Sequence, residues 1–334
     1  MIRFRPFLNG DPPALVNLWN RALPDFGVVR PLNVHEFDPL VIGKLGFERA
    51  GLIVAERAGQ VVGWVHAGFG PAEPKGPSHQ LDVRMGAVVM LVTEPDANDP
   101  DLEQGLLLAA ERYLRGRGAQ VIYAGGQSPL NPFYWGLYGG SEFAGILGTH
   151  ASFLRAAERA GYEPVAATVL LEADLSRPEV RDPRAPLNRR QFRLDVTEDV
   201  LPNGWWDALA IGLFRPTLFQ LFDKQQPRAV PHEPIGARAT TWDIAAGLAA
   251  NDGRARTGLI ELDVSSSRRR QGAGRYLVAE ILRHARTQFV DVVAVQTSAT
   301  NTPALTLYHA LGFEQVDTAT LYRLPAALLG RSSG

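Results

Sequence analysis

There is no cysteine among the 334 residues, which excludes disulfides, thiol nucleophiles and cysteine-ligated metal sites. An excess of one charge is also missing. Lys and Arg number 34 against 35 Asp and Glu, a formal net charge of −1, so no whole-surface field attracts a polyanion and nucleic acid is not an expected partner. No apolar run approaches the roughly 18 residues of a membrane span, and the opening MIRFRPFLNGD holds no apolar signal core. The expectation is a cytoplasmic chain without a membrane partner. The seven histidines (35, 66, 79, 150, 232, 284 and 309) lack HExxH or other ligand spacing, and no GxSxG elbow occurs. No metal is expected.

What is present is ordinary globular material: 46% hydrophobic and 21% charged residues. This length favours two domains of roughly 100–200 residues each. The stretch DLSRPEVRDPRAPLNRR (174–190) is rich in Pro and Arg and reads as a linker. On both sides of it the same order recurs: strand, helix candidate, strand, long amphipathic helix, strand, and a short helix closed by glycine. That is an internal duplication, with boundaries at 1–175, a linker at 176–189, 190–326, and a tail at 327–334.

In the second half GLIELDV (258–264) reads as a strand, with Leu262 and Val264 on one face and Glu261 and Asp263 on the other. SSSRRRQGAGRY (265–276) follows, and from Arg275 onward Val278, Ile281, Leu282 and Ala285 recur at helical spacing. Arg269, Arg270, Gln271, Gly272, Ala273, Gly274 and Arg275 therefore stand where a strand passes into a helix N-terminus. Exposed N–H groups and the positive dipole end favour an anion there, and glycines let it come close. A pyrophosphate cradle is the physical expectation. It is neither a P-loop nor a GxGxxG fingerprint, because Arg275, Tyr276 and Leu277 follow Gly274.

A strand VVAVQTSA (292–299), Asn301, a helix PALTLYHAL and Gly312-Phe313 come next. Together, LDVSSSRRRQGAG and NTPALTLYHALGFE resemble the two signature motifs of the GNAT superfamily of acetyl-CoA-dependent N-acetyltransferases. The first is carried by Val264, Arg269, Gly272 and Gly274; the second by Asn301, Leu307, Tyr308, Gly312 and Phe313. Ser266 stands where the family often has proline. The resemblance covers roughly residues 255–325. It implies an α/β (α+β) fold, here two tandem GNAT units, each a mixed, bent central sheet with splayed parallel strands flanked by helices. It also implies acetyl-CoA as cofactor, its pantetheine lying along Leu262, Asp263 and Val264.

Amine attack on a thioester needs stabilisation of the developing oxyanion, an acid for the departing sulfur and a base for the amine. A backbone N–H near Val264 suits the first. Tyr308 is the candidate acid by resemblance, although Ala304, Leu307, Tyr308 and Leu311 form a core-like helical stripe. Glu261 and then Asp263 are candidate bases, the alternatives being solvated carboxylates and a water relay. Asn301 either contacts pantetheine or caps its helix.

The first half lacks this constellation. Aligning GAVVMLV (86–92) with GLIELDV places Val89 at Glu261 and Leu91 at Asp263; Ala157 falls at Tyr308 and His150 at Asn301. Its turn carries Glu94, Asp96, Asp99, Asp101 and Glu103, with Asp99-Pro100 forming a good N-cap. Those acids would repel pyrophosphate. The first half thus reads as a degenerate unit, an architecture similar to tandem acetyltransferases such as mycothiol synthase. An insertion at 128–148 concentrates Phe133, Tyr134, Trp135, Tyr138 and Phe143, for packing in its own domain, an interdomain contact or a substrate wall. Trp205 and Trp206 read as packing. WWDALAIGLFRPTLFQLF (205–222) and AVPHEP (229–234) resist placement.

The resulting expectation is an N-acyltransferase moving acetyl from acetyl-CoA to a primary amine of a small molecule or peptide by direct attack, as monomer or homodimer. A non-catalytic acetyl-CoA sensor or scaffold is the alternative.

Overall fold

Aliphatic runs bounded by turns become strands here, and amphipathic runs become the helices that cover them. The computed structural model describes residues 1–24, 26–95, 99–130, 132–141, 145–224, 236–243 and 252–329. Asp96, Phe143, the AVPHEP segment and residues 330–334 lie outside the described residues. The first half contains β1 (Ile2–Pro6), α1 (Pro12–Ala22), α2 (Val34–Phe37), β2 (Leu52–Arg57), β3 (Gln60–Pro71), β4 (Leu81–Thr93), α3 (Pro100–Arg117), β5 (Val121–Ala124), β6 (Ile146–Leu147), α4 (Ala151–Arg159) and β7 (Glu163–Asp174). After α5 (Ala185–Gln191) come β8 (Phe192–Thr197), α6 (Trp205–Ile211), β9 (Pro216–Asp223), β10 (Ala237–Asp243), β11 (Arg256–Val264), α7 (Ala273–Thr287), β12 (Val292–Ser298), α8 (Thr302–His309), β13 (Glu314–Arg323) and α9 (Ala326–Leu329).

The strands form one mixed sheet in the order β1-β2-β3-β4-β5-β13-β7-β12-β11-β10-β9-β8, with β6 on β13. Only β4/β5 and β11/β12 run parallel among the described pairs. The centre is an exchange. The first half's last strand, β7, pairs with β12 from Ser298↔Thr168 to Val292↔Asp174, while β13 reaches β5 through Tyr322↔Ala124. β7 and β13 also pair with each other.

The mixed sheet with helices on its faces is the fold class the motifs implied. β4 is buried on both faces from Gly86 onward, which its unbroken apolar run requires. Asp99 caps α3, its side chain accepting from Leu102 N at 3.1 Å, with Pro100 at the first turn. The amphipathic helix read from Arg275 begins two residues earlier, at Ala273, and buries Tyr276, Leu277, Val278, Ile281, Leu282 and Ala285. At roughly 1.5–3 kcal/mol per fully buried large aliphatic side chain, that face anchors α7 to the second half's sheet.

The stretch read as linker is mostly exposed but not structureless. It holds α5, and it lies along α7 through Glu179–Arg283 (2.7 Å) and Arg189–Glu280 (3.9 Å).

Candidate active site

β11 and β12 pair in parallel from Arg256↔Val292 to Leu259↔Val295 and no further. Opposite β10, Thr240 pairs with Glu261 and Thr241 with Leu259, so Ile260 is an extra, bulged residue. A bulge bends its strand and sharpens its twist. Beyond it β11 follows β10 to Ala237↔Val264, while β12 follows β7. The two parallel strands thus diverge, and the β11 main chain from Glu261 to Val264 has no strand on its β12 side among the described residues. Glu261 and Asp263 are exposed and Leu262 and Val264 half-buried, as period-two alternation predicts.

The next turn is shaped by two left-handed residues, Arg270 (φ 59°) and Gly272 (φ 90°). The second is easy for glycine and costly for others. Residues of this kind beside helical ones form concave nests of N–H groups that receive anions. Gly274 brings α7 against the end of β11, since a Cβ there would stand 3.1 Å from Val264 Cγ2. The three arginines do different things. Arg268 pairs with Asp223 and lies 6.0 Å from the Phe192 ring. Arg269 Nε donates to the Val264 carbonyl at 3.0 Å. Arg270 is exposed, without an ion pair among the described residues.

Other sequence candidates lie around this loop. Gln271 Nε2 donates to the Ser267 carbonyl at 2.7 Å. Arg275 reaches the Ala310 carbonyl at 3.2 Å and lies 3.8 Å from Asp182, so it ties α7 to its neighbours. Asn301 caps α8, accepting from Ala304 N at 3.3 Å and donating to Thr297 Oγ1 at 3.1 Å; the capping alternative is the one its contacts display. Tyr308 is buried to 4% exposure and packs 5.3 Å from the Phe313 ring. Ala304, Leu307 and Leu311 join the same core.

Two neighbours were not legible. Asp207, on α6, lies within electrostatic range of Glu261 and Lys75; burial raises its pKa, Glu261 raises it further, and Lys75 lowers it. Lys75 belongs to the first half's β3–β4 connection, which docks on α6: Trp205 Nε1 donates to the Glu73 carbonyl at 2.9 Å, and His79 stacks on Trp205 at 5.0 Å. The signal was the WWD run, and nothing local tied it to residues 132 positions earlier. Asn188 of α5 and Arg184, the residue before α5, are nearest to a Cβ built at Gly272, at 3.6 and 4.0 Å.

The first half repeats the frame, but there the strand beyond the split is buried. β4/β5 pairing ends at Val88↔Ala124, and the β3/β4 register shifts across Val89, the counterpart of Ile260. Pairing places Met90 opposite His66 as Glu261 is opposite Thr240. The glycine-anchored alignment is therefore one residue out: Met90 and Val92 stand at the Glu261 and Asp263 positions. Both are fully buried. They share a core with Phe133, Tyr134, Leu137, Tyr138 and Leu147, so the insertion packs mainly in its own half. It also crosses to the second: Trp135 meets Trp242 edge-on at 5.8 Å, and Gln296 donates to the Gly139 carbonyl. His150 is buried beside the Tyr138 hydroxyl (2.9 Å) with its pKa pushed down to about 3, chiefly by burial. Of the acids near α3, Glu94 pairs with Arg21 (3.3 Å), Asp99 with Arg57, and Glu103 with Arg155 (2.6 Å).

The acetyltransferase (GNAT) family model matches residues 223–313. A mouse protein named probable N-acetyltransferase family 8 member 5 is 39% identical over 72 residues, 21% of this chain and 32% of its own length. Rat N-acetyltransferase 8F1 is 39% identical over 75 residues, 22% of this chain and 34% of its own. The match thus spans about a third of each curated relative. Among solved structures, a tandem GNAT protein from the clavulanic acid biosynthesis pathway superposes with a TM-score of 0.67 at 15% identity, covering 100% of both chains. A GCN5-related N-acetyltransferase from Sphaerobacter thermophilus gives 0.63 at 13%, covering 97% of this chain and 96% of its own.

Proposed function

We propose that this chain, a member of the GNAT acetyltransferase superfamily with the fold of its tandem proteins, transfers an acetyl group from acetyl-CoA to a primary amine at its second half. The observation that carries the reading is the divergence of β11 from β12 beyond Leu259, with a turn of N–H groups at its mouth. The residues present fit the cofactor: an unpaired strand edge suits an extended amide-bearing arm, and a nest at a helix N-terminus suits a diphosphate. The first half's equivalent gap is filled with its own aromatic side chains, and that half is read as degenerate.

Leu262, Asp263 and Val264 would hold the arm through their main chain. Arg269, Arg270, Gln271, Gly272, Ala273 and Gly274 would surround the diphosphate, with Arg275 and Asn301 keeping α7 and α8 in place. Acetyl-CoA supplies an activated acyl group that a neutral amine takes directly, and no cysteine exists to carry it in between. Glu261 accepts the amine's proton at its carboxylate. Main-chain N–H groups near Val264 steady charge on the acyl oxygen. The Tyr308 hydroxyl supplies a proton to the leaving sulfur. The β3–β4 connection and α6 wall the acceptor side, where Asp207 and Glu261 give a locally acidic mouth that favours cationic amines.

The test is calorimetric titration with acetyl-CoA, followed by a crystal structure of the complex and an amine panel. One molecule per chain, seated between β11 and β12, with acylation of an amine, supports the reading. Cofactor in the first half overturns it, and binding without acylation of any amine leaves a sensor or scaffold instead.

A further inference from the structure

We infer that the segment joining the two halves is itself part of the coenzyme site, with the Asn188 amide donating to the diphosphate beside the first turn of α7. The inference rests on the cofactor reading above and adds a residue from outside the signature motifs.

Asn188 is 2% exposed, and its Nδ2 makes no hydrogen bond among the described residues. Buried polar groups normally have partners, and one that lacks them calls for an explanation. This one stands 3.6 Å from the place a Cβ on Gly272 would occupy, beside the residue that caps α7. α7 is 15 residues long, and its opening N–H groups have no intrahelical partners. The unpaired Asn188 amide thus stands beside the turn that opens α7.

A ligand with several anionic oxygens satisfies both the amide and the opening N–H groups. Arg184 Cδ is 4.0 Å from the same point, and Arg270, two residues before Gly272, is exposed. The placement of α5 is not incidental. Glu179 is held by Arg283, Asp182 lies 3.8 Å from Arg275, and Arg189 lies 3.9 Å from Glu280, so the segment is pinned along α7 on both sides of Asn188.

The probe is coenzyme A, titrated calorimetrically into the full chain and into Asn188→Ala and Asn188→Asp, with the melting temperature of each free protein recorded. Asn188→Ala should weaken binding about tenfold with little change in melting. Asn188→Asp should weaken it further while leaving the free protein as stable or more so, since a carboxylate suits a helix N-terminus. Affinities within twofold of wild type in both variants overturn the inference. Should either variant fold poorly, hydrogen exchange on the wild-type chain decides: amides of residues 182–191 slow when coenzyme A is saturating, and unchanged exchange there overturns it. A Gly272→Asp variant separates the two levels. If that variant loses coenzyme A while both Asn188 variants keep it, only the Asn188 role falls. If wild type does not bind coenzyme A, the site itself falls with it.

Discussion

Gly272→Asp separates binding from folding better than any other change in the loop. The residue sits at φ 90°, where a side chain costs about 1–2 kcal/mol, least for Asp and Asn. A Cβ there meets only Asn188 Nδ2 at 3.6 Å and Arg184 Cδ at 4.0 Å, ordinary contacts. The left-handed backbone turns a side chain away from the first N–H groups of α7, so capping does not offset that cost. The free protein should melt about 2–8 °C below wild type and still fold. Binding should respond quite differently. A carboxylate about 4 Å from a diphosphate charge costs roughly 1 kcal/mol in water and 4 at a half-buried site. It also competes for N–H groups whose charge-assisted bonds are worth about 1.5–3 kcal/mol each. A loss of about 3 kcal/mol follows, on the order of a hundredfold in Kd by calorimetry. The electrostatic part should shrink as salt rises. Unchanged affinity in the folded variant would refute the placement of the diphosphate, and a collapse in melting temperature would refute the size of the backbone cost.

Other residues yield separate tests. Tyr308→Phe should reduce turnover at least tenfold while leaving acetyl-CoA affinity close to wild type; an unaltered rate returns Tyr308 to the core stripe it shares with Leu311. Asp207→Asn should raise KM for cationic amines more than it changes kcat, and since burial raises the Asp207 pKa, the variant should also melt higher at pH 7, where the native carboxylate is ionised at a cost, with the gain vanishing in acid. His66 and His150 are held down to about pKa 3 by burial, so between about pH 6.5 and 3 the unfolded chain binds two protons the folded one does not. Stability should therefore fall as pH drops through that window, by roughly 1.4 kcal/mol per pH unit per histidine once the unfolded side chains are charged; a flat denaturation profile from pH 6.5 to 4.5 would contradict it.

The strand, turn and helix that frame the second half's candidate site were legible because their signals are local. A strand of alternating Leu262, Glu261, Val264 and Asp263, a glycine pair and a helix period lie within about thirty residues, and short-range rules apply to each. Asp99 and Pro100 announced the start of α3 for the same reason. The bulge at Ile260 was not legible: it is a property of pairing with β10, and its neglect put the first half's alignment out by one residue. Asp207, Lys75 and Asn188 were hidden by distance along the chain. Their roles depend on which surfaces meet, and a stretch rich in Pro and Arg reads as a spacer until its charges are seen against Glu280 and Arg283.

The exchange of β7 and β13 ties the second half's sheet to the first. β12 carries Val292, Val293 and Val295, all buried, and on the side away from β11 its hydrogen bonds are made by β7. Without the first half, that row of N–H and C=O groups would be an open edge beside an apolar strand, a template for aggregation. The dependence is mutual, since Tyr322 and Arg323 of β13 complete the sheet beside β5. The positions proposed for the chemistry, Glu261 to Val264, lie on β11, one strand from that seam. How far β11 diverges from β12 is therefore set partly by a strand from the other half.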